Sequence, residues 1–244
     1  MPLAVTGFRY APALLKRAFA AARQLDGGGS VTARVTSDDP VRALLGATRA
    51  VATTGATATV ATVALAEGAD EHELLRTAEA VGVAASLQHA DAGSAVVTGD
   101  IDEIDRATPM ALLDDGDLIY WLGGYDGTDL TIERKVNEVL IAASRDGLFN
   151  AALDIGVGGA ATTIAVMALI EGKGARFWWP ESVDVEALFD AELGGVICIV
   201  PRSEELRFSD MCIARYLPSH RIGVVDGDQF ELQGHFTIAV VDIA

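Results

Sequence analysis

The stretch DGLFNAALDIGVGGAATTIAVMA, Asp146 to Ala168, decides the fold. It reads as a helix end, a short β-segment ending at Asp154, a glycine-rich turn at Gly156, Gly158 and Gly159, and a new helix from about Ala160. The first N–H groups of a helix have no intrahelical partner and its dipole favours negative charge, so this turn has the shape of a phosphate cradle. Its G-x-G-G spacing matches neither the dinucleotide fingerprint nor the P-loop. The same glycines also suit a plain strand-to-helix connection, where they supply positive φ and close packing.

Working outward, the segments on either side repeat the alternation of strand and helix. Residues 11–25, APALLKRAFAAARQL, place Leu14, Leu15, Ala18, Phe19 and Ala22 on one helical face, stopped by the glycines at 27–29. SVTARVTSDD alternates like a half-buried strand, and Asp39 with Pro40 reads as the cap and first residue of a helix running to about Thr54. A strand at 57–65 and a helix at 70–89 follow, the latter with acidic residues in its first turn. From residue 94 come the strand SAVVTGDI, the turn at Asp114 and Asp115, the strand DLIYWLG, and a helix at about 130–146. Beyond the glycine loop the pattern predicts strands near 174–179 and 195–200, a helix near 203–216, and strands near 221–225, 229–232 and 236–242. This is an α/β chain with α+β layers. The turn-forming loop HADAGS predicts a boundary between an N-terminal domain, 1–92, and a C-terminal domain, 93–244.

Half of the 244 residues are hydrophobic, enough for a substantial core, and the formal net charge is −17. So acidic a surface repels phosphate backbones and argues against nucleic acid and anionic membranes as partners. Basic residues are mostly Arg, with Lys only at Lys16, Lys135 and Lys173, a composition that fits either a GC-rich genome or adaptation to salt. Cys198 and Cys212 sit in apolar surroundings without metal-ligand spacing and read as buried thiols of a reducing compartment. No signal peptide or membrane-length run is present in the sequence, so the expected location is cytoplasmic.

Several segments, in order, resemble one family. DPVRALLGATRAVATTGATATVATVAL is similar to its Asp-Pro, Gly-Ala helix, Arg and Thr-Gly-Ala turn, and SAVVTGDIDEIDRATPMALLDDGDLIYWLG to its Asp-x-x-Arg-Ala turn and Gly-Asp-x-Ile strand. LDIGVGGAATTIAVMALIEGKGARF resembles its Asp-hydrophobic-Ser-Asp-Gly-Gly loop with the following helix, and LGGVICIVP and RIGVVDGDQFELQGHFTIAVVDI its closing strands. The family is formylglycinamidine ribonucleotide synthase, within the aminoimidazole ribonucleotide synthetase-like superfamily. The resemblance covers about residues 38–244 and implies an N-terminal half that builds a β-barrel across a homodimer and a C-terminal α/β sandwich half. It further implies ATP and Mg as cofactors, purine-biosynthesis chemistry in which ATP activates an amide oxygen and ammonia gives an amidine, and a glutaminase or complementary synthase subunit as partner. At 244 residues the chain matches about one unit of a protein that contains two, without the long N-terminal catalytic stretch.

Against that pattern the chain departs where chemistry requires hard oxygen ligands and cationic groups. The loop keeps Asp154, Gly156, Gly158 and Gly159 as candidate nucleotide or phosphate contacts, but Leu153, Gly156 and Val157 stand where the family has His, Ser and a second Asp. Ala50 follows Arg49 where the family has Asn, Val60–Leu65 carries no ligand side chain, and Ala191–Gly195 lacks an Arg. Asp38 and Asp39 are the carboxylates best placed for a metal, with Asp39 as an N-cap the alternative. Asp114 and Asp115 suit a turn, and none of His72, His89, His220 and His235 has sequence neighbours suggesting a triad. Trp121, Trp178 and Trp179 read as core or interface aromatics. Two functions stay open: a formylglycinamidine ribonucleotide synthase-like enzyme or nucleotide-binding subunit, or a catalytically silent homologue acting as a structural or regulatory partner.

Overall fold

Asp39 starts the first helix as its sequence demands. In the computed structural model its carboxylate accepts from Val41 N and Arg42 N, and Pro40 opens α1 (Pro40–Ala52), whose buried stripe includes Leu44, Ala47 and Val51. The structure describes residues 24–25, 29–123, 129–156, 158–179, 185–189 and 194–243. Most of the helix expected at 11–25 lies outside them, and its last two residues form a short strand instead, β1 (Gln24–Leu25), paired with the next strand.

Five strands make the first sheet: β1, β2 (Ser30–Thr36), β3 (Thr57–Leu65), β4 (Ala84–His89) and β5 (Ser94–Asp100), in the order β1-β2-β5-β3-β4. Alternation along β2, β3 and β5 turns Val31, Ala33, Ala61, Val63, Ala95 and Val97 to one face, where α1 and α2 (Glu71–Ala80) cover them. Two expectations are corrected here. The helix from residue 70 does not reach 89, because Gly82 turns the chain at φ +77 and Ala84–His89 then hydrogen-bonds in parallel with β3. His89 therefore ends a strand, not a helix. Residues 94–100 sit between β2 and β3, so the passage from the first sheet to the second falls after Asp100, not at 92/93.

Among the described residues the second sheet has seven strands in the order β12-β11-β8-β10-β6-β9-β7. In chain order these are β6 (Leu118–Leu122), β7 (Ala151–Asp154), β8 (Ala175–Phe177), β9 (Val196–Val200), β10 (Ser219–Val225), β11 (Gln229–Leu232) and β12 (Phe236–Ala239). β6 and β9 are buried at every residue, so the sheet is covered on both faces. Ile119, Trp121, Ile197 and Ile199 face α4 (Gly159–Glu171), while Leu118, Tyr120, Cys198 and Val200 face α3 (Leu130–Arg145) and α5 (Glu205–Ala214). Buried from Gly159 to Ala168, α4 is apolar around its whole circumference, as an inner helix must be. Ala52, at the end of α1, joins the cluster beneath α3, so α1 links the two layers.

Candidate functional site

β7 is the edge strand that delivers the glycine loop. It pairs antiparallel with β9 as far as Asp154 and Val196, and Ile155 N then donates to Gly195 O at 3.0 Å. Gly158 follows in the left-handed conformation, φ +90, as the residue before α4. A Cβ there would lie 2.5 Å from Thr162 Oγ1, so glycine is required twice over, by the backbone and by space. Among the described residues no side chain caps α4, and Gly159 N donates back to Gly156 O at 3.0 Å. The loop thus has an anion-accepting shape, compacted by one internal bond. Gly156 needs neither special φ nor space, since nothing lies within 4 Å of its Cβ position.

Asp154 is not an open ligand. Arg49 Nε lies 2.5 Å from Asp154 Oδ1, and Arg49 Nη1 lies 2.6 Å from Glu133 Oε2. The three side chains are 6%, 8% and 2% exposed for Arg49, Asp154 and Glu133, so this is a buried carboxylate–guanidinium–carboxylate triad. Each member comes from a different element: Arg49 from α1, Glu133 from the first turn of α3, where the helix dipole favours it, and Asp154 from β7. Gly46, one turn before Arg49, lets α1 approach: a Cβ there would stand 3.4 Å from Asp154 Oδ2. Two carboxylates on one guanidinium leave a net negative charge when both ionise, and burial opposes that. Burial accordingly pushes the Asp154 carboxyl up to about 7, against the pull of Arg49, while its two carboxylates hold the Arg49 guanidinium firmly protonated despite burial.

The other candidates scatter. Asp39 engages its carboxylate in capping α1 and in an ion pair with Arg42 at 3.5 Å. Asp38 lies in the bend before α1, and among the described residues no group of three His, Cys, Asp or Glu side chains converges for a metal ion. Asp115 pairs with Lys173 at 3.1 Å beside the left-handed Gly116, a turn role. His220 stacks on Trp121 at 5.3 Å and Trp121 on Trp179 at 5.1 Å, which makes these aromatics packing residues. Cys198 and Cys212 are free and buried, and burial raises both thiols. Among the described residues no helix is long and apolar enough to cross a membrane.

Arg49 and Glu133 are the residues that sequence reading missed. Arg49 drew notice as part of the family resemblance and as the neighbour of Ala50, not as a partner of Asp154, although an Arg inside the apolar stripe of α1 signals a buried partner. Glu133 carried no signal beyond its place in a first helical turn.

A family model described as AIR synthase related protein, C-terminal domain, matches residues 112–235. The phosphoribosylformylglycinamidine synthase subunit PurL of Streptomyces coelicolor is 43% identical over 169 residues, covering 60% of this chain and 22% of the relative. The PurL of Rhodococcus jostii is 38% identical over 172 residues, covering 60% of this chain and 23% of its own. The chain therefore matches less than a quarter of the length of these curated relatives. Among solved structures, Thermotoga maritima PurL complexed with ADP superposes with a TM-score of 0.77 at 14% identity, over 98% of this chain and 51% of that one. A chain of the HypE–HypF complex gives a TM-score of 0.69 at 15% identity, over 93% of this chain and 98% of that one. Both likenesses establish the fold.

Proposed function

The chain belongs to the family of AIR synthase related proteins through its C-terminal domain, and from that premise we propose that it is a phosphate- or nucleotide-binding subunit of the formylglycinamidine ribonucleotide synthase type. The observation that carries this reading is the left-handed Gly158, four residues after Asp154, preceding an α4 that no described side chain caps. Such a loop offers backbone N–H groups and a helix dipole to a phosphate without needing a protein side chain. ATP or ADP is the ligand class, supported by the ADP and ATP complexes of the Thermotoga maritima PurL fold. Amide-to-amidine chemistry belongs to the assembly in this reading, with a complementary synthase subunit or glutaminase as partner. The structure of PurLQS from Thermotoga maritima, which shares this fold, supports that partnership.

The donor set does not fit a magnesium ion held by this chain. Magnesium requires several converging hard oxygens, whereas Arg49 occupies Asp154 and two backbone N–H groups occupy Asp39. Any magnesium arrives with the nucleotide. The buried triad also favours the second reading, a catalytically silent homologue, because the loop's one carboxylate serves as a structural tie between layers.

A homodimer through the first sheet is part of the proposal, with the two layers as its two domains. Helices cover one face of that sheet; the other presents mostly small uncharged side chains such as Thr32, Thr62, Ser86, Val96 and Thr98, with Val60 51% exposed, and carries charge at Arg34 and Asp100. In a chain of net charge −17 a face with so few carboxylates suits a second copy better than solvent.

Thermal denaturation with ATP, ADP and inorganic phosphate, each with and without magnesium, tests the binding claim. A ligand at 100 times its Kd stabilises the native state by about 2.7 kcal/mol. We expect stabilisation by at least one of the nucleotides without added magnesium; none with any of them removes the reading.

A further inference from the structure

α5 (Glu205–Ala214) buries Phe208 and Cys212 against the second sheet, while Leu206, 78% exposed, and Ile213, 68% exposed, share its outer face. Tyr216, 84% exposed, extends this patch from the turn that ends the helix, where its N–H donates to Ile213 O at 2.9 Å. The turn has the form that favours glycine: Leu217 N donates to Cys212 O at 3.0 Å, and Tyr216 adopts φ +53. α1, α2, α3 and α4 are each followed by a left-handed glycine, Gly55, Gly82, Gly147 and Gly172. Among the described residues Tyr216 is the one non-glycine with positive φ. Within the chain its ring gains the Lys135 ammonium 5.9 Å from the centroid, an exposed contact weaker than the strain of left-handed backbone. That imbalance points to a contact outside the chain.

The charge around the patch runs against that of the protein. In a chain of net charge −17, Arg202 leads into the helix, and Arg215 and Lys135 flank Tyr216; none of the three has an ion pair among the described residues. Arg207 and Arg221 are balanced locally by Glu204 and Glu205. Asp210 is the exposed carboxylate between Leu206 and Ile213. An aliphatic stripe rimmed by unpaired cations is complementary to an aliphatic stripe rimmed by carboxylates. A second copy is disfavoured, because two-fold pairing of α5 about the middle of the stripe sets Asp210 beside its own symmetry mate.

We propose that the outer face of α5 is a docking surface for an acidic amphipathic helix of another protein. Its aliphatic side chains cover Leu206 and Ile213, its carboxylates meet Arg202, Arg215 and Lys135, and the Tyr216 ring packs at its edge. The inference uses no residue of the glycine loop and stands apart from the phosphate reading.

Titration of the intact nitrogen-15-labelled chain with two stapled helical peptides tests it. Both are two heptads long with leucine at a and d; one carries glutamate elsewhere, the other glutamine. At physiological salt charges act over about 8 Å, so the patch and not the net charge of the chain decides between them. We expect the glutamate peptide to bind about five-fold more tightly, the scale of a few exposed ion pairs, with shifts centred on Leu206, Ile213 and Tyr216. Leu206→Ser combined with Ile213→Ser should abolish binding without lowering the melting temperature, since both side chains are exposed. Tyr216→Gly should weaken binding yet raise the melting temperature, because glycine suits left-handed backbone. Equal or tighter binding of the glutamine peptide, no saturable binding, shifts centred elsewhere, or undiminished binding in either variant would overturn the proposal. So would a dimer of the parent that the double serine variant dissolves, since the occupant would then be a second copy.

Discussion

Arg49 and Asp154, 105 residues apart in sequence, meet at 2.5 Å and join the helix that covers the first sheet to the edge strand of the second. Glu133 completes the contact from α3. The loop that follows Asp154 is therefore held by a buried ionic tie, and the stability of that tie decides the geometry of the glycine turn.

Removing the shared cation should be severe. Arg49→Met leaves Asp154 and Glu133 buried without a partner, and losing one member of a buried ionic group costs about 3–5 kcal/mol. Urea unfolding of Arg49→Met, Asp154→Asn and the double variant measures this. The two changes should be strongly non-additive, because they share one contact.

The raised Asp154 carboxyl sets a pH dependence of known sign. Its ordinary value of 3.8 applies to the unfolded chain and about 7 to the folded one, so between these values the native state holds a proton that the unfolded state has lost. The contribution of this group to stability is complete below about pH 4, falls as pH rises through 7, and then levels off. Asp154→Asn should flatten that fall in a series of unfolding curves from pH 4.5 to 8. An unchanged slope would contradict the burial of the carboxyl.

Two glycines of the loop should behave oppositely. Gly158→Ala forces a Cβ into left-handed backbone and onto Thr162, and should destabilise by about 1–3 kcal/mol. Gly156→Ala meets nothing within 4 Å and should stay within about 0.5 kcal/mol of the parent. Thermal denaturation of the pair, with Thr162→Ala added to Gly158→Ala as a partial rescue, checks it.

Asp39→Asn should retain the cap and the stability, whereas Asp39→Ala should lose about 1 kcal/mol. Neither should alter the response to magnesium if Asp39 is a cap. A magnesium-dependent stabilisation abolished by Asp39→Asn would restore the metal assignment.

Val60→Glu places a charge on the open face of the first sheet, next to Thr62 and Thr98 across the ladder. Sedimentation equilibrium at micromolar concentration should show the parent as a dimer and the variant as a monomer. A monomeric parent would contradict the dimer.

The local signals of the sequence were reliable where one residue type has one use. Asp39-Pro40 marked a cap, the periodicity of 57–65 marked β3 from Thr57 to Leu65, and the apolar runs LIYWL and VICIV marked two fully buried inner strands, β6 and β9. What was illegible was set by distant partners. Ala84–His89 is too short and too rich in small residues to declare itself a strand, and becomes one by pairing with β3. Ser94–Asp100 carries no mark of which sheet it joins; β2 and β3 decide that. At the site, the glycines were readable from spacing, but the fate of Asp154 depended on Arg49 and Glu133, which lie on two other elements.

The most direct test of the central claim is a titration of the nitrogen-15-labelled chain with ADP in the absence of magnesium, read at the backbone amides. The phosphate-cradle reading predicts that the amides of Gly156, Gly158, Gly159 and Ala160 shift together and saturably, and that Gly158→Ala weakens the binding. Saturable shifts centred outside the loop, or none at concentrations well above those that stabilise the fold, would contradict it.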